Sequence, residues 1–350
     1  MSYRMFASAT VGAAAFLAAI PLLGQSLSPA AKPAATNAPT AKSAKPYTPP
    51  KMPWGDPDLQ GQWPADANIP MQRPLTLAEK GALSPEELAK REEQFRKQAE
   101  QDGEEFVPAK GGTTTINPPT YWVEHTKPDA QTSLVVDPPD GRIPALTPEG
   151  QQRLKQLRGG LGPGSHFPTT VNSWEDFDDY SRCISRGLLS SMLPTLYNFG
   201  NQIVQAPGYV AIRNEMIHET RVIPLDKRPH VGKEIATYMG DPRGHWEGNT
   251  LVVETTNLKP QPGVGGGLFT DAAVLTERFK RISQNELSYD LTVNDPKTWT
   301  KPWTLHMPYK MDTSYKIYEY ACHEGNYMML DSLSGARERE KNGQTTKVDR

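Results

Sequence analysis

The side chains able to do acid–base or anion chemistry are gathered at three places along the chain. Glu215, His218, Glu219 and Arg221 fall within one short corner, His245 and Trp246 form a pair, and Tyr320-Ala321-Cys322-His323-Glu324-Gly325-Asn326 forms a compact polar cluster. A histidine oriented by a glutamate titrates near neutral pH and can move a proton to or from a bound substrate. His218, His323, Glu215 and Glu324 are therefore the candidate catalytic groups. Residues three apart oppose each other on a straight strand, so Glu215 and His218 need a bend to converge. Arg221 could hold a carboxylate in a two-pronged contact. With it, His245, Trp246, Tyr209, Trp303 and Tyr318 are candidate ligand-binding residues, the aromatic ones as walls for an apolar or aromatic small molecule.

Each of these residue types also has an ordinary structural use. Histidines commonly satisfy a carbonyl or carboxylate at a strand end, and aromatic side chains are common core. His218, His245 and His323 with a glutamate would suit zinc, but no short ligand spacing accompanies them, so neither a metal nor another cofactor is expected. The glycine stretch at 263–267 lies between strands, away from the helix N-terminus that a phosphate loop requires. No activated nucleophile is identifiable. The foremost expectation is a binding module holding a small ligand in a β-barrel cavity. A metal-independent hydrolase or lyase using His and Glu on a small-molecule substrate is the alternative. A protein that only packs against envelope partners is a third.

The elements that must position these groups are mainly strands. From Gln202 onward, short β-prone runs alternate with turns: 202–205, 209–214, 220–225, 251–255, 274–282, 287–293, 303–307 and 315–320. The turns carry Ala206-Pro207-Gly208, Asp226-Lys227-Arg228-Pro229, Trp246-Glu247-Gly248-Asn249, Gln284-Asn285 and Asn294-Asp295-Pro296. Such spacing without βαβ alternation predicts an antiparallel β-barrel or sandwich, with the barrel preferred because closure removes exposed edges. In the run 274–282, one face carries Val274, Thr276, Arg278, Lys280 and Ile282, and the other Leu275, Glu277, Phe279 and Arg281. Either charged groups lie inside as a paired network, or an ion-pair ladder runs outside. Residues 56–198 are mixed. Ser84-Pro85-Glu86-Glu87 opens a charged surface helix to about Asp102, and Thr147-Pro148-Glu149 opens another that Gly159-Gly160 ends. Strands are expected at 121–124 and 133–137, and Ser173 is a candidate cap for a further turn. This gives a mixed helix and hairpin segment at 56–198, an antiparallel β domain at 199–338 and a disordered tail at 339–350.

Met1-Ser2-Tyr3-Arg4 supplies one positive charge before an apolar run from Met5 to Gly24, the pattern of an export signal, with cleavage expected near residue 30 and no membrane span afterwards. Residues 31–55, rich in Ala, Pro and Lys, read as a disordered linker. The expected location is periplasmic or secreted. Cys183 and Cys322 are the only cysteines, and in an oxidising compartment they are a natural disulfide pair. The 38 basic and 40 acidic residues leave no broad positive surface, which argues against nucleic acid as a partner.

Several motifs together resemble an uncharacterised family of exported soil-bacterial proteins: Ser133 to Pro144, Gln205-Ala206-Pro207-Gly208-Tyr209-Val210, Glu215 through His218 to Arg221, Trp246 to Val253, and Tyr320 to Asn326. The resemblance covers nearly everything after residue 56. It implies export and a shared fold, and it carries no catalytic assignment. Gly61-Gln62-Trp63 also looks like the Gly-x-Trp element that opens lipocalin-like barrels.

Overall fold

A computed structural model describes residues 47–77, 79–102, 124, 126–160, 170–259 and 269–344. The expected signal segment, the linker before residue 47, most of the 121–124 strand, the 263–267 glycine stretch and the end of the tail lie outside the described residues. The first half of the chain contributes β1 (Gly61–Gln62), β2 (Ala67–Asn68), α1 (Pro85–Asp102), β3 (Lys127–Pro128), β4 (Val135–Asp137), α2 (Pro148–Gly160) and α3 (Gly187–Ser191). The second half contributes β5 (Asn201–Ala206), β6 (Tyr209–Asn214), β7 (Thr220–Pro224), β8 (Asp241–Glu247), β9 (Thr250–Thr256), β10 (Val274–Arg281), β11 (Glu286–Asn294), β12 (Trp303–Lys310) and α4 (Tyr327–Lys341). The fold is mainly β, with a few helices around it.

Two antiparallel sheets carry the body, ordered β1-β5-β6-β7 and β4-β12-β11-β10-β9-β8. The expected barrel is not found. Among the described residues both sheets are open, the larger one ending at β4 on one side and β8 on the other. The reason is a split in the meander. β7 and β8 are separated by the stretch 225–240, and no backbone ladder joins them, so the first three hairpin strands and the last five form separate sheets.

Alternation sets which side chains enter the core. Ile203, Val210, Ile212 and Ile223 from the smaller sheet join Leu251, Val253, Leu275, Phe279, Leu287, Tyr289, Leu291, Val293, Trp303, Leu305 and Met307 from the larger one. Residues before β5 complete the same cluster: Leu59, Trp63, Leu134, Leu188 and Met192 are all buried in it. Trp63, of the Gly-x-Trp element, is fully buried, and its indole N–H donates to Leu59 O at 3.0 Å.

Both readings of the 274–282 pattern hold, one on each face of β10. Inside, Glu277 is fully buried and pairs with Arg221 of β7. Outside, Arg278 pairs with Glu247 of β8, and on the same face of the neighbouring strands Asp290 meets His306 at 2.8 Å.

The helix starts follow their local chemistry. Ser84 Oγ accepts from Glu87 N while Glu87 Oε2 accepts from Ser84 N, a reciprocal cap for α1. Thr147 Oγ1 accepts from Gly150 N at the start of α2. Ser173 and Asp176 cap a single 3-10 turn over Trp174–Asp176 in the same reciprocal way.

Three expectations about the chain's last part and its linker change. Residues 315–320 form no strand, and α4 occupies 327–341, where the β domain and tail were expected to meet. Met328, Met329 and Leu333 of α4 pack on Val171 and Phe177. Residues 47–55, read as the end of the linker, make defined contacts such as Asp58 N to Pro50 O and a bridge between Lys51 and Pro57. No helix among the described residues is long and apolar enough to cross a membrane.

Candidate functional site

The disulfide between Cys183 and Cys322 organises the polar end of the molecule. Its Cα atoms are 5.7 Å apart across a sequence separation of 139, so it joins two segments that the strands alone would not bring together. One segment is Tyr180-Ser181-Arg182-Cys183-Ile184-Ser185-Arg186; the other is Tyr320-Ala321-Cys322-His323-Glu324. The corner after β6, a 3-10 turn over Met216–His218, touches the first through Met216 and Arg186 and the second through His218 and Tyr320.

Contacts fix this assembly at several points. His218 Nδ1 lies 3.0 Å from the carbonyl of Tyr320. A carbonyl only accepts, so Nδ1 is the donor in this contact, and Nε2 has no protein partner among the described residues. Tyr180 Oη lies 3.4 Å from Tyr197 Oη and 3.5 Å from Tyr320 Oη, and the Tyr197 and Tyr320 rings stack at 6.4 Å. Arg186 lies over the Tyr180 ring at 5.5 Å. The only protein acceptor its guanidinium meets among the described residues is Met216 Sδ, at 3.1 Å. Burial lowers the Arg186 pKa against the opposing influence of the three tyrosines and Glu219. Glu219 accepts the backbone N–H of Arg186 at 3.2 Å, and burial raises its pKa despite hydrogen bonds from Ser185 and Arg186.

The backbone here is strained. Cys183, Asn198, Ile217 and His218 have φ of 57°, 52°, 62° and 49°, in the left-handed region. Ile217 is β-branched and fully buried, the residue class least suited to that conformation. Such a residue costs on the order of 1–3 kcal/mol and persists only where its surroundings over-determine it. Outlying backbone of this kind gathers at functional sites.

The candidate residues separate into groups. Glu215 is buried, and its carboxylate accepts from Asn198 Nδ2 at 3.0 Å, Tyr318 N at 3.1 Å, Gly200 N at 3.2 Å and Tyr315 Oη at 2.8 Å. It is thus engaged by the protein itself. His218 is brought to the Tyr320 segment. His323 and Glu324 are exposed in the turn that follows the disulfide. Tyr318 is 67% exposed and is tied to Glu215 through its backbone N–H.

The others lie elsewhere. Arg221, expected to hold a ligand anion, points into the core, where both of its terminal nitrogens contact Glu277. It occupies an inward position of β7, and its charge is already matched. Trp303, expected as a wall residue, is fully buried against Trp299, ring centroids 5.6 Å apart. His245 is on the outer face of β8 with Nε2 3.3 Å from Glu247, and Trp246 packs partly buried against the core. Tyr209 is exposed at the β5–β6 turn, where its hydroxyl accepts from Arg228 at 3.2 Å. Of the three sequence clusters, the corner at 215–219 and the segment at 320–324 therefore meet, and the pair at 245–246 stays apart.

Sequence reasoning did not single out Arg186, Tyr180, Tyr197, Tyr315, Asn198 or Glu124. One signal was present. Pairing Cys183 with Cys322 already implies that the residues flanking one cysteine, Tyr180 and Arg186 among them, lie near those flanking the other. No group of His, Cys, Asp and Glu suited to a metal ion is found among the described residues. Neither a protein-family model nor a curated protein sequence matches this chain.

Proposed function

We propose that this is an exported protein that binds a small organic anion at the disulfide-anchored cluster, with Arg186 as the principal anion contact and the hydroxyls around Tyr197 and Tyr320 as further donors. The observation that carries this reading is the state of the Arg186 guanidinium. It is partly buried, it has five N–H donors, and among the described residues its one hydrogen-bond acceptor is the weakly accepting sulfur of Met216. The Glu219 carboxylate acts on this cation from nearby but takes no hydrogen bond from the guanidinium among the described residues, so its N–H groups are left for an anion from solution. Export is supported by the N-terminal pattern and fits the disulfide, since such bonds persist in oxidising compartments. An apolar ligand held inside a barrel loses support, because the sheets are open and their interior is filled by Trp63, Trp299, Trp303, Tyr289 and Phe279.

The test is calorimetric titration with acetate, benzoate and inorganic phosphate against wild type and Arg186→Met. A charge-assisted hydrogen bond contributes about 1.5–3 kcal/mol, so Arg186→Met should weaken binding by roughly ten- to a hundredfold. The unliganded variant should stay folded, because among the described residues the guanidinium makes no hydrogen bond to a carboxylate. Unchanged affinity, or a variant that unfolds, refutes the reading.

Metal-independent acid–base catalysis on the bound anion is the second reading, and the free Nε2 of His218 favours it. In that case His218→Ala abolishes turnover with affinity and folding retained, and His323→Ala reports whether the neighbouring exposed histidine shares the role.

A further inference from the structure

Tyr315 stands between two carboxyl groups. Its Oη lies 2.8 Å from Glu215 Oε2 and 3.2 Å from Glu124 Oε2. A phenol carries one proton and can donate it to only one of them. The second oxygen–oxygen contact is satisfied only if that carboxyl group is itself protonated and donates to the phenol oxygen.

The remaining contacts decide which group that is. Glu215 already accepts N–H donors from Asn198, Gly200 and Tyr318, and the phenol brings a fourth donor to it, the surroundings of an ionised carboxylate. Glu124 accepts one N–H, that of Asn198, through Oε1 at 2.7 Å. Its Oε2 is left to face Tyr315, which is the geometry of a carboxylic acid, one oxygen accepting and the other donating. Burial, with a further contribution from the Glu215 charge, raises the Glu124 pKa, against lowering by the Asn198 and Tyr315 contacts. Among the described residues, the groups that face Glu124 are Glu215, Tyr315 and the neutral Asn198, and no cation stands among them.

We infer that Glu124, Tyr315 and Glu215 form an acid latch: Glu124 Oε2–H donates to Tyr315 Oη, Tyr315 Oη–H donates to Glu215 Oε2, and loss of the one Glu124 proton undoes the chain. What the latch holds is defined by its ends. Glu215 and Asn198 belong to the walls beside β5 and β6, whereas Tyr315 and Tyr318 begin the segment that leads to Tyr320 and Cys322. This segment makes no strand ladder; its far end is held by the disulfide and the Tyr320 contacts, and its start is tied by the contacts of Tyr315 and Tyr318 to Glu215 and Glu124. Deprotonation places a second negative charge beside Glu215 and leaves the phenol unable to serve both. The start of the segment then loosens, and the support it gives to Tyr320 weakens. That last consequence, weaker anion binding at higher pH, rests on the reading of Arg186 given above.

The sign follows from the raised pKa. The latch contributes stability that is complete below the ordinary glutamate value of about 4.3 and is lost as pH rises through the higher folded-state value. The experiment is urea unfolding of the full chain, from about pH 4 to about pH 9, for wild type, Glu124→Gln and Tyr315→Phe. Glutamine reproduces the acid's one acceptor and one donor but cannot ionise. Wild type should lose stability relative to Glu124→Gln as pH rises, and Tyr315→Phe should sit lower throughout. Carbon-13 NMR of labelled glutamates should place the Glu124 midpoint above that of an exposed glutamate. Parallel pH profiles for wild type and Glu124→Gln, or a Glu124 midpoint at or below the exposed value, overturn the latch. Benzoate affinity measured on the same proteins separates the two claims. If the Glu124 midpoint is raised while affinity does not follow it, the latch stands and its link to the anion site falls.

Discussion

Replacing Arg221 by methionine tests how the interior of the two sheets is held together. The Arg221 and Glu277 side chains are 2% and 0% exposed, and they meet through both guanidinium terminal nitrogens and both carboxylate oxygens. Tyr289 Oη donates to the same carboxylate at 2.9 Å. Burial alone would lower the Arg221 pKa, yet the Glu277 charge and hydrogen bonds outweigh it and raise it. Arg221→Met leaves Glu277 buried with a single neutral donor. Removing one partner of such a pair costs about 3–5 kcal/mol. At about 2–4 °C per kcal/mol for a domain of this size, the melting temperature should fall by roughly 6–20 °C. In the double variant Arg221→Met/Glu277→Leu the uncompensated charge is gone, and only Tyr289 loses its acceptor, about 1–3 kcal/mol. The double variant should therefore be more stable than the single one, a large negative departure from additivity. Urea denaturation followed by circular dichroism, with the m-value unchanged, measures both. A loss below about 1 kcal/mol for Arg221→Met, or additive effects in the double variant, refutes the account of the pair as a buried, mutually dependent unit.

Two further outcomes follow from the same structure. Replacing Cys183 and Cys322 by serine opens a loop of sequence separation 139, which the chain-entropy relation values at about 5 kcal/mol. Equal urea midpoints for this variant and wild type would count against the bridge as a stabilising link. Gly200→Ala would place a Cβ 2.6 Å from both Glu215 Oε2 and the Tyr315 ring, so it should destabilise by about 1–3 kcal/mol and change the pH profile of the latch. An alanine variant as stable as wild type would mean the carboxyl cluster is looser than these contacts describe.

Local pattern was enough for most of the elements. The limits of β6, β10 and β11 follow alternation and flanking turns, and α1 and α2 begin at the Ser84 and Thr147 caps, because the signals involved act within a few residues. The tie between Cys183 and Cys322 was legible too, since the N-terminal pattern led to an expectation of export, and two cysteines in an oxidising compartment are a natural pair. Residues 315–320 misled for the same local reason. Their alternation is strand-like, but the Tyr315 and Tyr318 amides donate to the side chains of Asp312 and Glu215 rather than to a neighbouring strand.

What only the tertiary structure decided is who pairs with whom over long separations. Alternation shows that Glu277 and Leu275 share a face but not that Arg221, on another sheet, supplies the matching charge. It cannot tell a closed barrel from two open sheets, because closure depends on whether the first and last strands of a sheet meet, and β4, entering from residues 135–137, takes the edge beside β12. The site is the furthest case. Arg186 and Glu124 have unremarkable local sequences, and their chemistry arises from burial and from neighbours on remote segments, Met216 and Tyr180 for the one, Tyr315 and Glu215 for the other. The sequence by itself determined most of the longer strands, the caps and the covalent link, though it missed β8 and placed a strand at 315–320 where none forms; desolvation and long-range contact, which exist only in the folded chain, decided which of its many polar groups are left with chemistry to do.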